Sequence, residues 1–223
     1  MRAINIKIFN HSPINYILSV ILLLSFPSLA TTQTYDNHSR LIIDAQRQQQ
    51  KLIESHGHSQ QVKWVEKCHH MIKSMQLIQF KDCFVIKATF ANAYSLAHGT
   101  VILTEGLLKN INNDDQLAHI LAHEHAHLVL NHHQQAQNLV NNPPKFFTKS
   151  RIKKFYRNIE QQADQAADQW LIDLNLDHLQ VNHYLMRIEK TSKEHSNDHQ
   201  KLKQRIQRSD LPEEMVESFW TNH

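Results

Sequence analysis

The chain has 223 residues, with 24 lysines and arginines against 21 aspartates and glutamates. This near balance gives no argument for nucleic acid or an anionic membrane surface as a partner, because both attract strongly basic proteins. The length is sufficient for one domain with a hydrophobic core.

Residues 1–30 have the layout of a secretory signal peptide: a basic start, an apolar run over residues 14–26 and a small-residue ending at Ala30. The alternative is an uncleaved N-terminal anchor. Cleavage after Ala30 leaves residues 31–223, which we expect to form a single domain in the periplasm. No later apolar stretch reaches the length of a membrane span, so the mature chain is expected to have no transmembrane segment.

Residues 31–80 predict N-terminal helices, because apolar residues recur at approximate helical spacing over 39–55 and 60–77. Two cysteines, Cys68 and Cys83, lie in the mature chain. They can pair in an oxidising compartment or remain as two buried thiols. Their spacing is not the CxxC of a redox or zinc site.

Residues 83–86 and 94–103 are rich in aromatic and β-branched residues, which predicts strands. His98-Gly99 divides the second stretch, so we expect a hairpin with Gly99 in its turn. The outer strand, residues 93–96, would offer backbone groups to an extended substrate if it lies at a sheet edge. The predicted fold is therefore α+β: mostly helical, with a small antiparallel sheet.

The segment 117–130 contains the pattern HExxH, formed by His123, Glu124 and His127. Positions four residues apart lie on one face of an α-helix, so both imidazoles can bind one zinc ion. Glu124 is then placed to take a proton from a water molecule at the metal. The chain has 18 histidines, so the motif alone can arise by chance and its context has to support it.

A catalytic zinc site usually has three protein ligands. The best candidate for the third is Glu160, on a helix predicted from about residue 152 to residue 174. Asp164 lies one turn further on the same face, where its carboxylate can receive the N–H of a ligand imidazole. The alternative is that both residues lie on a solvated surface. A further helix is predicted over residues 178–190.

Several motifs over residues 92–206 together resemble the gluzincin family of zinc metallopeptidases that includes HtpX and the CAAX prenyl endopeptidases. They are the edge strand, hairpin and following helix given by residues 92–96, Gly99 and residues 104–108, the HExxH segment followed by His132, the ExxxD pair, and His199 with Arg205-Ile206. The resemblance implies one zinc ion per chain with three ligands: His123, His127 and Glu160. It further implies that Glu124 is the general base and that Asp164 supports a ligand.

The same resemblance places two more residues near the site. His199 corresponds to a histidine that can occupy the open zinc position in some relatives, and Arg205 to a residue that orders the region. Either is a candidate for stabilising the oxyanion. The chain departs from the family pattern at Gln200, where proline is usual, and at Gln162, where glutamate is common. His119, one turn before the motif, is either a satisfied helix histidine or a competing ligand.

The resemblance implies a zincin-like catalytic core over residues 83–206 with zinc-dependent endopeptidase activity. The soluble BepA-like and LoiP-like members are linked to envelope quality control in Gram-negative bacteria, so the expected substrates are misfolded or misassembled envelope proteins. One alternative is a zinc-binding, chaperone-like envelope protein whose turnover is negligible or gated by His199. Another is a periplasmic zinc or copper buffer that uses the many histidines of the chain.

Overall fold

The computed structural model describes residues 29–146 and 148–191, with side chains over 38–146 and 150–185. The chain divides into two units: one ends at Arg40 and contributes a helical segment, and the other begins at Leu41 and contains the sheet and the remaining helices. Most of the predicted signal peptide lies outside the described residues. Within them, no helix combines the length and apolar character needed to cross a membrane.

The described residues form a mostly helical α+β fold, as predicted. The helices are α1 (Leu29–His56), α2 (Val62–Ser74), α3 (Glu105–Leu108), α4 (Asp114–Val129), α5 (His132–Asn141), α6 (Thr148–Asp173) and α7 (Gln180–Thr191). The strands are β1 (Asp82–Ile86), β2 (Ala93–Leu96) and β3 (Thr100–Thr104).

The three strands form one sheet in the order β1-β3-β2. β2 and β3 pair as the predicted antiparallel hairpin, with Gly99 at a φ of +94° in its turn. The sheet is mixed, because β1 pairs with β3 in parallel, so the predicted antiparallel pairing holds for β2 and β3 only. Residues 87–92 carry the chain past the central position to the far edge, so that β3 returns in the direction of β1.

Helix α4 carries the HExxH motif and is a core helix. It begins after Asn113, whose side chain accepts a hydrogen bond from Gln116 N. Residues 116–127 are all buried. α4 contacts β2, α5, α6 and α7, so neighbouring elements on several sides position its side chains.

A disulfide between Cys68 and Cys83 joins α2 to β1. Both residues are buried among the apolar side chains of the core. The structure therefore decides between the two alternatives that the sequence left open for this pair, in favour of the bond.

Candidate metal centre

Helices α4 and α6 run antiparallel, and their facing polar side chains lie one turn apart on each helix. Histidines of α4 meet carboxylates of α6 in three successive pairs: His119 with Asp168 at 2.9 Å, His123 with Asp164 at 2.9 Å, and His127 with Glu160 at 3.6 Å. The matching spacing of four residues on both helices produces this register. The predicted third ligand is thereby brought to the HExxH motif.

The side chains of His123, His127 and Glu160 are buried and converge on one point. The two Nε2 atoms are 3.1 Å apart, and the Glu160 oxygens lie 3.5 Å from His123 Nε2 and 3.6 Å from His127 Nε2. Two atoms that each lie about 2.0–2.1 Å from a tetrahedral zinc ion are roughly 3.3–3.4 Å apart. The three donors therefore fit three corners of a zinc site.

In each ligand histidine, the contact of the outer nitrogen, Nδ1, determines which ring nitrogen carries the proton. The inward nitrogen, Nε2, is then left as an acceptor. His123 Nδ1 lies 2.9 Å from Asp164 Oδ1, and a carboxylate only accepts, so Nδ1 carries the proton. In a neutral His123 ring the inward Nε2 is then a lone pair. His123 Nε2 therefore has no proton to donate to the Glu160 carboxylate or to His127 Nε2, which lie beside it. A bound cation would satisfy this set of acceptors.

His127 is supported by a different group. Its Nδ1 lies 2.9 Å from His132 Nδ1, and His132 Nε2 lies 3.1 Å from Gln162 Oε1. The Gln162 oxygen accepts from His132 Nε2–H, so a neutral His132 accepts at Nδ1 from His127. Burial, with a smaller contribution from His123, lowers the pKa of His127 to about 3. The neutral His127 ring thus also turns a lone pair inward.

The sequence did not reveal this second support. In the sequence, His132 is recognisable only as part of a family motif, and Gln162 only as a departure from one. Helical spacing pairs residues one turn apart, whereas His132 and Gln162 are 30 positions apart and lie on different helices.

The carboxylate of Glu124, a residue of α4, lies next to strand β2. Its Oε2 accepts a hydrogen bond from Ser95 N at 2.9 Å, and the residue is buried. The order β1-β3-β2 confirms that β2 is an edge strand within the described part of the chain. The backbone of residues 93–96 was expected to pair with an extended substrate. One of its amides, Ser95 N, is already hydrogen-bonded to Glu124.

Two further histidines of α4 have other partners. His119 Nε2 pairs with Asp168 Oδ1, which favours the satisfied helix histidine over a competing ligand. His125 accepts a hydrogen bond at Nε2 from Gln79 N, and its ring packs against Phe80 and Trp170. Burial lowers the pKa of His125 to about 4, which is typical of a neutral core histidine.

The structure brings together five of the seven residues that the sequence singled out: His123, Glu124, His127, Glu160 and Asp164. The other two, His199 and Arg205, lie outside the described residues. Their expected roles therefore remain predictions.

Comparison with known proteins agrees with this geometry. Residues 59–149 match the model of peptidase family M48, a span that includes the sheet and the whole HExxH helix. No curated protein matches the chain. The matched segment and the donor set assembled around it support membership in peptidase family M48, a family of zinc metallopeptidases.

Proposed function

We propose that this protein is a zinc-dependent endopeptidase of the periplasm that hydrolyses misfolded or misassembled envelope proteins. One observation carries the proposal: two imidazole nitrogens and a carboxylate converge at zinc-site distances, next to a glutamate held at the edge of a sheet.

The ligands in this proposal are His123, His127 and Glu160, and Asp164 and His132 hold the two imidazoles in the required tautomer. A bound zinc ion would supply Lewis-acid polarisation of the scissile carbonyl and would lower the pKa of a water molecule. The chain's own residues then have to position the peptide and move protons.

Glu124 is the proton carrier in this proposal. The Ser95 amide anchors the carboxylate of Glu124 at Oε2. Oε1 takes a proton from the attacking water and delivers it to the leaving amine nitrogen. Replacing Glu124 by Gln removes the proton acceptor while the amide oxygen can still accept from Ser95.

Strand β2 provides the binding edge for an extended peptide. Asn92 O accepts from Thr104 N of β3, whereas Ser95 N points away from β3 to Glu124. Because alternate residues of an antiparallel edge strand face outward, the backbone of Ala93 shares the outer side with Ser95. A peptide paired there lies next to Glu124, and main-chain pairing gives weak side-chain specificity, which suits varied misfolded substrates.

Oxyanion stabilisation is assigned to His199 or Arg205, on the motif resemblance alone. The periplasmic location is supported by the signal-peptide pattern at the N-terminus and by the Cys68–Cys83 disulfide, since disulfides persist in oxidising compartments. The envelope substrates are inferred from the resemblance to BepA-like and LoiP-like proteins.

The test combines zinc content with cleavage of casein by wild type, Glu124→Gln and the control Glu66→Gln, whose side chain is exposed on α2. We expect one zinc ion per chain in all three and cleavage in wild type and the control only. Equal inactivity of all three with one zinc ion each would favour the chaperone-like alternative. Several metal ions per chain, or none, would contradict the site.

A further inference from the structure

The basic residues of this chain are unevenly distributed. Residues 125–159 contain six lysines and arginines and no aspartate or glutamate, while the remainder has 18 basic against 21 acidic residues. The near balance of the whole chain therefore conceals a strongly basic segment. It covers the connection between α5 and α6 and the first turns of α6.

The exposed side chains of this segment form what we call the basic surface: Val140, Lys145, Phe146, Arg151, Lys153, Lys154 and Arg157. Among the described residues, none of its five cations has an ion-pair partner. The charges are thus available to an external anion.

This arrangement opposes helix stability. The first turn of α6 contains Arg151 and no acidic residue, although the helix dipole favours anions at that end. Lys153 and Lys154 lie four and three residues before Arg157, so like charges meet on one face. Acidic residues would serve helix stability better here, so the clustered charges are not explained by folding stability.

Two apolar side chains accompany the charges. Val140, at the end of α5, is 71% exposed, and Phe146, just before α6, is 72% exposed. They flank the Pro143-Pro144 pair of the same connection. Exposed apolar groups beside clustered lysine and arginine are the features with which proteins bind a membrane interface. A nucleic acid would pair with the cations but would leave Val140 exposed to water.

We propose that the basic surface docks this protein onto bilayers that contain anionic phospholipids. The cations bind the headgroup phosphates, and Val140 and Phe146 enter the interface. Glu160 lies twelve residues after the start of α6, which is about 18 Å along the helix axis. Docking would therefore hold the candidate metal centre close to the bilayer, where misassembled envelope proteins are exposed.

The experiment measures co-sedimentation of the full chain with vesicles of phosphatidylcholine, alone or mixed with phosphatidylglycerol. The test variant is Lys153→Glu with Lys154→Glu. The matched control is Lys51→Glu with Lys87→Glu, two exposed lysines outside the basic surface that give the same change in net charge. Every variant keeps the N-terminal apolar run, so its contribution to vesicle binding is equal in all of them.

We expect wild type and the control to prefer vesicles with phosphatidylglycerol, and the test variant to bind them at least about tenfold more weakly. Raising the salt to about 1 M should weaken wild-type binding, since it shortens the screening length to roughly 3 Å. Phe146→Ser should weaken binding that remains at high salt. Zinc content and casein cleavage in solution should not change in any of these variants.

Equal binding of wild type to both kinds of vesicle, or equal loss in the test and control variants, would overturn the proposal. So would displacement of the protein from vesicles by a duplex oligonucleotide at a lower phosphate concentration than the lipid, which would assign the surface to nucleic acid. Because these readouts do not use the metal, failure here is distinguishable from failure of the peptidase proposal.

Discussion

His123 and His127 direct the same nitrogen, Nε2, to the candidate metal centre, but their outer nitrogens contact different groups. Asp164 supports His123 directly with a carboxylate. His127 is supported by the neutral ring of His132, which continues to an amide. Two equivalent ligand positions on one helix are thus held by one charged partner and one neutral chain.

This difference separates orientation from charge. A neutral acceptor fixes a tautomer as well as a carboxylate does, whereas a carboxylate polarises the ring more strongly and adds negative charge near the metal. We therefore expect the Asp164 side to contribute more to metal affinity than the His132 side.

The largest effect should come from removing either ligand ring. His123→Ala and His127→Ala should each weaken zinc binding, because each removes a metal–nitrogen bond. The loss of affinity should exceed the roughly 10–100-fold that contacts to the outer ring nitrogens contribute. Zinc per chain is measured after dialysis against metal-free buffer. His183→Ala, which removes an exposed histidine of α7, serves as the control. Retention of stoichiometric zinc by either ligand variant would contradict the site.

The next largest effect should come from Asp164→Asn. Loss of the carboxylate should weaken zinc binding about 10–100-fold, since the amide can still accept from His123 but carries no charge. Competition with a coloured chelator gives the dissociation constant. Asp168→Asn makes the same change one turn along α6, against His119, and should leave the constant near the wild-type value. Equal losses in both variants would mean that the loss comes from removing negative charge near the metal, and not from the contact between Asp164 and His123.

A smaller effect is expected from His132→Phe. His127 Nδ1–H then loses its acceptor in a buried site, which costs about 1–3 kcal/mol, part of which appears as weaker zinc binding of about tenfold. The visible spectrum of the cobalt-substituted protein should shift as the His127 ring reorients. An unchanged spectrum and dissociation constant would show that His132 only fills space.

The smallest effect is expected from Gln162→Glu, which places a carboxylate at the end of the neutral chain. Zinc binding should tighten by about threefold, because a charged acceptor polarises His132, although the exposure of Gln162 to water limits the gain. Gln165→Glu adds the same charge to an exposed position of α6 and is the comparison variant. A gain of equal size there would remove any special role for Gln162.

Local patterns predicted much of the fold. Gly99 in a short turn between two β-rich stretches predicted the β2–β3 hairpin, and helical spacing predicted most of the helices with shifts at their ends. The parallel direction of β1 relative to β3 did not follow from the sequence, because it depends on where residues 87–92 cross the sheet, which no local pattern encodes.

The same division holds at the candidate metal centre. Spacing of four residues on a helix is a local property. The sequence by itself therefore determined that His123 and His127 share one helix face, and that Glu160 and Asp164 share another. Contacts between elements were decided only by tertiary packing: the antiparallel register of α4 on α6, the hydrogen bond from Ser95 N to Glu124, and the chain from His127 to Gln162. A periodic pattern states which side chains share a face, but only the packed structure determines what that face meets.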